Sequence, residues 1–272
     1  MSVHKEHPKM TVPRLIAKKA KGEQIAALTA YDTLMAEILD ESGIDVILVG
    51  DSAAMVMAGH STTLPITMEE MLFYTRNVRR GVKKALLVAD MPFLSYQCSL
   101  EEGIRNAGRF LKEAGAEAVK IEGGEPVVEL IARLVDFGIP VMGHLGLTPQ
   151  SIHKFGSYKL QGKESAVAKK LKKEAKMLEE AGIFSLVLEK IPAGLAREIT
   201  ETIKVPTIGI GAGVHCDGQI LVAHDMLGIY DKMKPRFVRR YAEIAQTMRQ
   251  AFDQYIDDVR NRRFPSDEES FL

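Results

Sequence analysis

"EAVKIEGG", residues 117–124, is the stretch on which the reading of the fold turns. Lys120 and Glu122 stand two apart, with Val119 and Ile121 as their apolar neighbours. In a strand, alternate side chains share a face, so Lys120 and Glu122 point one way and Val119 and Ile121 the other. A strand covered on both faces usually reads as a nearly continuous apolar run. An ammonium and a carboxylate aimed together into an interior therefore need a chemical reason.

Short apolar runs of the same kind recur along the chain, at 24–29, 45–49, 86–89, 117–121, 139–143, 184–188, 207–210 and 220–223. Each ends in Gly, Asp, Glu or His, and the intervening segments carry helical periodicity. Between 163 and 182, Val167, Leu171, Ala175 and Leu178 form one apolar stripe, and the lysines around it read as a solvated outer face. Strand alternating with helix implies parallel pairing, and eight such units imply a closed (β/α)8 TIM barrel of the α/β class. An open doubly wound sheet is the alternative. Residues 11–22 read as an extra helix capping the N-terminal end of the barrel. Residues 235–262 read as a long amphipathic C-terminal helix, and 263–272 as a short acidic tail. Residues 1–272 are expected to form a single catalytic domain.

The 36 basic and 36 acidic residues balance, so no broad field draws the chain to nucleic acid or to an anionic membrane. No apolar run approaches the ~20 residues of a membrane helix, and the opening "MSVHKEHPKM" lacks the apolar core of a signal peptide. Cys98 and Cys216 have no paired spacing and form no metal or redox motif, so both read as structural thiols. These features point to a cytoplasmic protein.

Active sites of such barrels gather at the C-terminal ends of the strands. There this chain places Asp51, Ser52, Asp90, Lys120, Glu122, His144 and Glu189. Singly, Asp51 or Ser52 could be a helix cap and His144 a satisfied core histidine. Together they are costly to bury without partners. Carboxylates with no Cys and at most one His favour a hard cation, Mg2+ over Zn2+. Asp51, Asp90 and Glu122 suit it, Glu122 through water. Lys120 would face an anion or a forming enolate. Glu189 lies on a different strand and could accept a proton next to a polarised carbonyl. "IGIGAG" (208–213) reads as a phosphate cradle at a helix N-terminus or as glycines allowing a tight turn. "AGHSTTLPIT" (58–67) reads as a lid or as a capping segment for the next helix.

Eight motifs in this order resemble those of the ketopantoate hydroxymethyltransferase family. They are "TAYD" (29–32), "VGDS" (49–52), "GHSTTLP" (59–65), "ADMPF" (89–93), "VKIEGG" (119–124), "GHLGLTPQS" (143–151), "IGIGAG" (208–213) and "DGQILVAHDMLG" (217–228). The resemblance implies a Mg2+-dependent barrel enzyme of pantothenate biosynthesis. Its expected reaction moves a one-carbon unit from 5,10-methylenetetrahydrofolate to 3-methyl-2-oxobutanoate, giving 2-dehydropantoate. Carried over by motif, Asp51, Asp90 and Glu122 become metal ligands, the last an indirect one. Asp51, Ser52, Asp90 and Lys120 become contacts to the keto acid, Glu189 the proton acceptor at C3, and His144 a neighbouring polar group. The resemblance also implies a homo-oligomer, commonly a decamer. Two local departures, Ala53-Ala54 after "GDS" and Ala193-Gly194 after "IP", replace none of these groups.

Two other readings compete. A Mg2+-dependent lyase or mutase of the phosphoenolpyruvate mutase/isocitrate lyase type predicts turnover without folate. A metal- or metabolite-binding protein on a barrel scaffold predicts no turnover at all.

Overall fold

Eight parallel strands close into a barrel in sequence order in a computed structural model that describes residues 8–231 and 235–271. Most of the polar opening stretch lies outside the described residues. The strands are β1 (Ile25–Thr29), β2 (Val46–Val49), β3 (Leu86–Asp90), β4 (Ala118–Glu122), β5 (Val141–Gly146), β6 (Ser185–Glu189), β7 (Thr207–Ile210) and β8 (Gly218–Leu221). Parallel pairing of β8 with β1, Ile25 opposite Gly218, closes the ring and excludes the open sheet. The eighth strand starts two residues before the expected 220–223. Asp217-Gly218 has the composition of a turn, yet Gly218 pairs with Ile25 on one side and Ile208 on the other.

Alternation sorts the strands into two cores. Val46, Leu48, Leu86, Val88, Ala118, Met142, Val187, Ile208 and Ile220 fill the inside of the barrel. Ile47, Val49, Leu87, Ala89, Val119, Ile121, Leu186 and Leu188 pack outward against the helices. The inward file of β3 continues to Asp90, that of β4 to Lys120 and Glu122, that of β5 to His144, and that of β6 to Glu189.

The opposite end is plugged. Helix Val12–Ala20, within the expected 11–22, carries Pro13 in its first turn and buries Leu15 completely among the inward-facing residues. Leu15→Ala should open a cavity there and cost about 2–5 kcal/mol in denaturant unfolding. A change below 0.5 kcal/mol would show that the helix does not seal the barrel.

Helix Ser165–Glu180 buries the expected stripe, Leu171, Ala175 and Leu178, with Val167 packed beside it. The segment joining β7 to β8, residues 211–217, carries no helix, so "IGIGAG" has no helix N-terminus behind it. Its glycines answer to geometry: Gly211 and Gly213 have φ of 62° and 87°, and a Cβ at Gly213 would collide with Ala193.

The chain divides into two compact units, one up to Val222 and the other from Ala223. In the second, the long helix spans Ile244–Arg260, shorter than the expected 235–262. The amide of Tyr241 donates to the carbonyl of Met226, and those of Ile244 and Ala245, free at the start of the helix, donate to Leu227 and Gly228. Arg262, at φ 55°, ends the helix. Among the described residues no helix is long and apolar enough to cross a membrane. Cys98 is exposed, Cys216 is buried, and both are free thiols.

Candidate active site

Lys120 is the centre of the cluster that its inward direction predicts. Its Nζ lies 3.2 Å from Asp90 Oδ1, 3.8 Å from Glu122 Oε1 and 3.1 Å from His144 Nδ1. Asp51, Asp90, Lys120, Glu122 and His144 are all buried. Asp51 enters from the turn after β2, and its backbone N–H donates to Asp90 Oδ2 at 3.0 Å. Ser52, one residue on, exchanges a hydrogen bond with Tyr31 at 2.8 Å. Glu189, on β6, joins through His144, whose Nε2 lies 3.4 Å from its Oε2. Lys190 follows at φ 45°, an uncommon conformation for a non-glycine residue, and turns the chain away just past Glu189.

Gln150 was not singled out by its sequence position, and it joins the cluster's parts. It sits in the 3-10 turn Pro149–Ser151 beyond β5. Its backbone N–H donates to Glu122 Oε2 and its Nε2 to Asp51 Oδ2, both at 3.0 Å. Tyr96 donates to Gln150 Oε1 at 2.8 Å and fixes the amide's orientation. A neutral residue beyond a strand end gives little sign of function; its place in "GHLGLTPQS" was the available signal. Thr63, in the 58–67 loop, is buried and turned toward Asp51. Thr67 caps the helix that follows, in a capping box with Glu70.

Burial dominates the electrostatics. It raises the Asp51 carboxyl to about 6, with help from Glu122, and the Asp90 carboxyl to about 7, with help from Asp51. It raises Glu122 to about 7, against the pull of Lys120. Burial alone would discharge Lys120, but Asp90, Glu122 and Asp51 outweigh it and hold its ammonium charged well above the ordinary range. Burial, then Lys120, lowers His144 to about 4, so the imidazole is neutral. Its Nδ1 lies between Lys120 Nζ at 3.1 Å and Glu122 Oε1 at 3.3 Å, and its Nε2 faces Glu189.

The cluster thus holds three carboxylates against one cation. Asp90 Oδ1, Glu122 Oε1 and His144 Nε2 are buried and meet their neighbours through these ion-pair approaches, with no well-directed hydrogen bond. Among the described residues, no three His, Cys, Asp or Glu side chains converge as a ready-made metal cage. Mg2+ does not require one, because it typically takes one or two carboxylates and keeps several waters.

Known proteins resemble this chain along its whole length. The profile of the ketopantoate hydroxymethyltransferase family matches residues 9–267. The 3-methyl-2-oxobutanoate hydroxymethyltransferase of Syntrophus aciditrophicus is 54% identical over 272 residues, covering 100% of both chains. That of Prosthecochloris aestuarii is 57% identical over 268 residues, covering 97% of each. Among solved structures, a phosphonopyruvate hydrolase with oxalate and Mg2+ superposes with a TM-score of 0.64 at 14% identity, covering 96% of this chain and 93% of that one. A 2,3-dimethylmalate lyase gives 0.62 at 16% identity, covering 96% and 91%. At those identities the likeness to both is one of fold.

Proposed function

The chain belongs to the ketopantoate hydroxymethyltransferase family and is an enzyme of that kind, and on that premise we propose a Mg2+-dependent transfer of a hydroxymethyl group from 5,10-methylenetetrahydrofolate to 3-methyl-2-oxobutanoate. The observation that carries this reading is the inward cluster of Asp51, Asp90 and Glu122 around Lys120, with Glu189 across His144.

Asp51 and Asp90 would hold the metal directly and Glu122 through water. The bound cation would draw electrons from the keto acid's carbonyl and so acidify its C3–H. Glu189 accepts the C3 proton. His144 Nε2 faces its carboxylate from 3.4 Å. Lys120 and Ser52 meet the negative oxygens of the keto acid, and Lys120 offsets the charge that grows as the proton leaves. The nucleophilic C3 then bonds to the methylene carbon of the folate as one of that carbon's two bonds to nitrogen breaks. Water displaces the second nitrogen, supplying the hydroxyl of 2-dehydropantoate and releasing tetrahydrofolate, whose two nitrogens take up the protons. A lyase or mutase reading would require turnover without folate. The 54% and 57% identical relatives favour the transferase. Two free thiols suit a cytoplasmic setting.

Proton linkage offers one check. Asp51 and Asp90 rise from 3.8 to about 6 and 7, and Glu122 from 4.5 to about 7. For acids with raised folded pKa values, the folded state binds more protons than the unfolded one between pH 4 and 7. That stabilisation is full below the unfolded pKa and is lost as pH rises through the folded pKa. His144, lowered from 6.5 to about 4, acts oppositely over that interval. Because Mg2+ competes with protons for the carboxylates, the gain in Tm on adding MgCl2 should widen between pH 5.5 and pH 8 in thermal melts. A gain independent of pH would remove these carboxylates from metal binding.

A homo-oligomer is also inferred. None of the residues of helix Ile244–Arg260 is buried, and Met248, Phe252, Tyr255, Ile256 and Val259 recur at helical spacing among its exposed positions. Light scattering should give a mass several times that of the chain, and Phe252→Asp should lower it. A monomeric wild type would contradict the inference.

A further inference from the structure

A cavity of about 330 Å³ lies beside the cluster. It shares one wall with the site. Glu122 and Gln150 line it, and Gln150 also holds Asp51. Phe93, Val127, Phe155 and Leu171 make its apolar sides, and the exposed Lys154 and Lys170 stand among its lining residues.

Glu174 also lines this cavity, on a helix whose other buried positions, Leu171, Ala175 and Leu178, are apolar. Its side chain is only 9% exposed. A carboxylate is costly to bury unless its oxygens find donors. Oε1 accepts the Glu125 N–H at 3.3 Å and has Lys170 Nζ at 3.7 Å. Oε2 makes no hydrogen bond among the described residues. The chain is shaped around this group, since a Cβ on Gly124 would overlap the carboxyl of Glu174.

Building on the folate-dependent reading above, we propose that this cavity binds the pteridine of the one-carbon donor, with Glu174 accepting the paired N–H groups of its 2-amino-4-oxopyrimidine edge. That edge presents a ring N–H beside an exocyclic amino group. The pair is a two-pronged donor of the sort a carboxylate accepts bidentately. The flat bicycle suits the aromatic and aliphatic sides of the cavity. A space of about 330 Å³ falls at the small end of ligand pockets, enough for the ring system while the tail stays outside. Lys154 and Lys170 are placed to meet the tail's glutamate carboxylates. The keto acid, itself an anion, would be repelled by Glu174. The wall of Glu122 and Gln150 then sets the donor beside the metal and keto-acid site.

The test uses full-length enzyme with Mg2+ and the variant Glu174→Gln, which keeps the shape but exchanges one acceptor for a donor. Its KM for methylenetetrahydrofolate should rise about tenfold or more. Calorimetric binding of 6-methyltetrahydropterin, which has the ring without the tail, should weaken equally. Folate-independent exchange of the C3 proton of 3-methyl-2-oxobutanoate, which does not use this cavity, should stay within about twofold of wild type. Gly124→Ala, by displacing Glu174, should act in the same direction. An unchanged KM and pterin affinity in Glu174→Gln would overturn the proposal, as would an equal fall in exchange, which marks a structural role. Wild-type enzyme that exchanges the proton yet neither binds the pterin nor uses the folate would instead overturn the donor reading, and the pteridine site with it.

Discussion

Glu189→Gln is expected to slow C3 proton exchange and product formation together by about 10²–10⁴-fold, the usual contribution of a positioned general base. The amide has nearly the shape of the carboxylate but cannot take a proton. Its position should hold, because His144 Nε2 faces it from 3.4 Å and β6 is paired on both sides. Affinity for the keto acid should therefore change little, since Asp51, Asp90 and Lys120 do not depend on Glu189. The pattern to look for is a collapse of kcat at nearly constant KM. Normal exchange in Glu189→Gln would take Glu189 out of the role. Exchange that survives while transfer fails would assign it to the later carbon–carbon step.

Lys120→Met should have the second large effect, on stability as well as rate. The substitution keeps an apolar stem and removes the single ammonium among Asp90, Glu122 and Asp51. Removing one partner of a buried ionic group typically costs about 3–5 kcal/mol, because the remaining charges stay buried without compensation. Here the loss should be greatest above pH 7, where the carboxylates would ionise, and should shrink in acid as they take up protons. Added Mg2+ should restore part of it. Activity should fall by about 10²–10³-fold, the scale for losing one group that stabilises developing charge. A variant that melts like wild type in EDTA at pH 8 would mean that Lys120 does not balance the cluster.

The barrel and the core of the site were legible because both depend on the two-residue period of a strand. Lys120 and Glu122 could be placed together from "EAVKIEGG" alone, and the structure puts both on the inward file with Asp90 and His144. What the chain did not reveal has a different physical origin. Gln150 acts through a turn and a bent path back to Asp51, and no periodicity marks such a residue. Glu174 stands among the lysines that read as a solvated face. Its burial comes from the close approach of the Gly124 loop, a tertiary contact that local pattern does not contain. The start of β8 was hidden by turn-like residues that pair only because β1 and β7 flank them. The C-terminal helix begins only at Ile244, where its first free amides, of Ile244 and Ala245, find the carbonyls of Leu227 and Gly228, a tertiary contact that amphipathic spacing does not mark.

Product formation by the purified protein measures the central claim most directly. With Mg2+, 3-methyl-2-oxobutanoate and 5,10-methylenetetrahydrofolate, 2-dehydropantoate should accumulate. It should cease on adding EDTA and return when Mg2+ is added in excess. No 2-dehydropantoate in the metal-replete sample, or formation that continues unchanged in EDTA, would contradict the account.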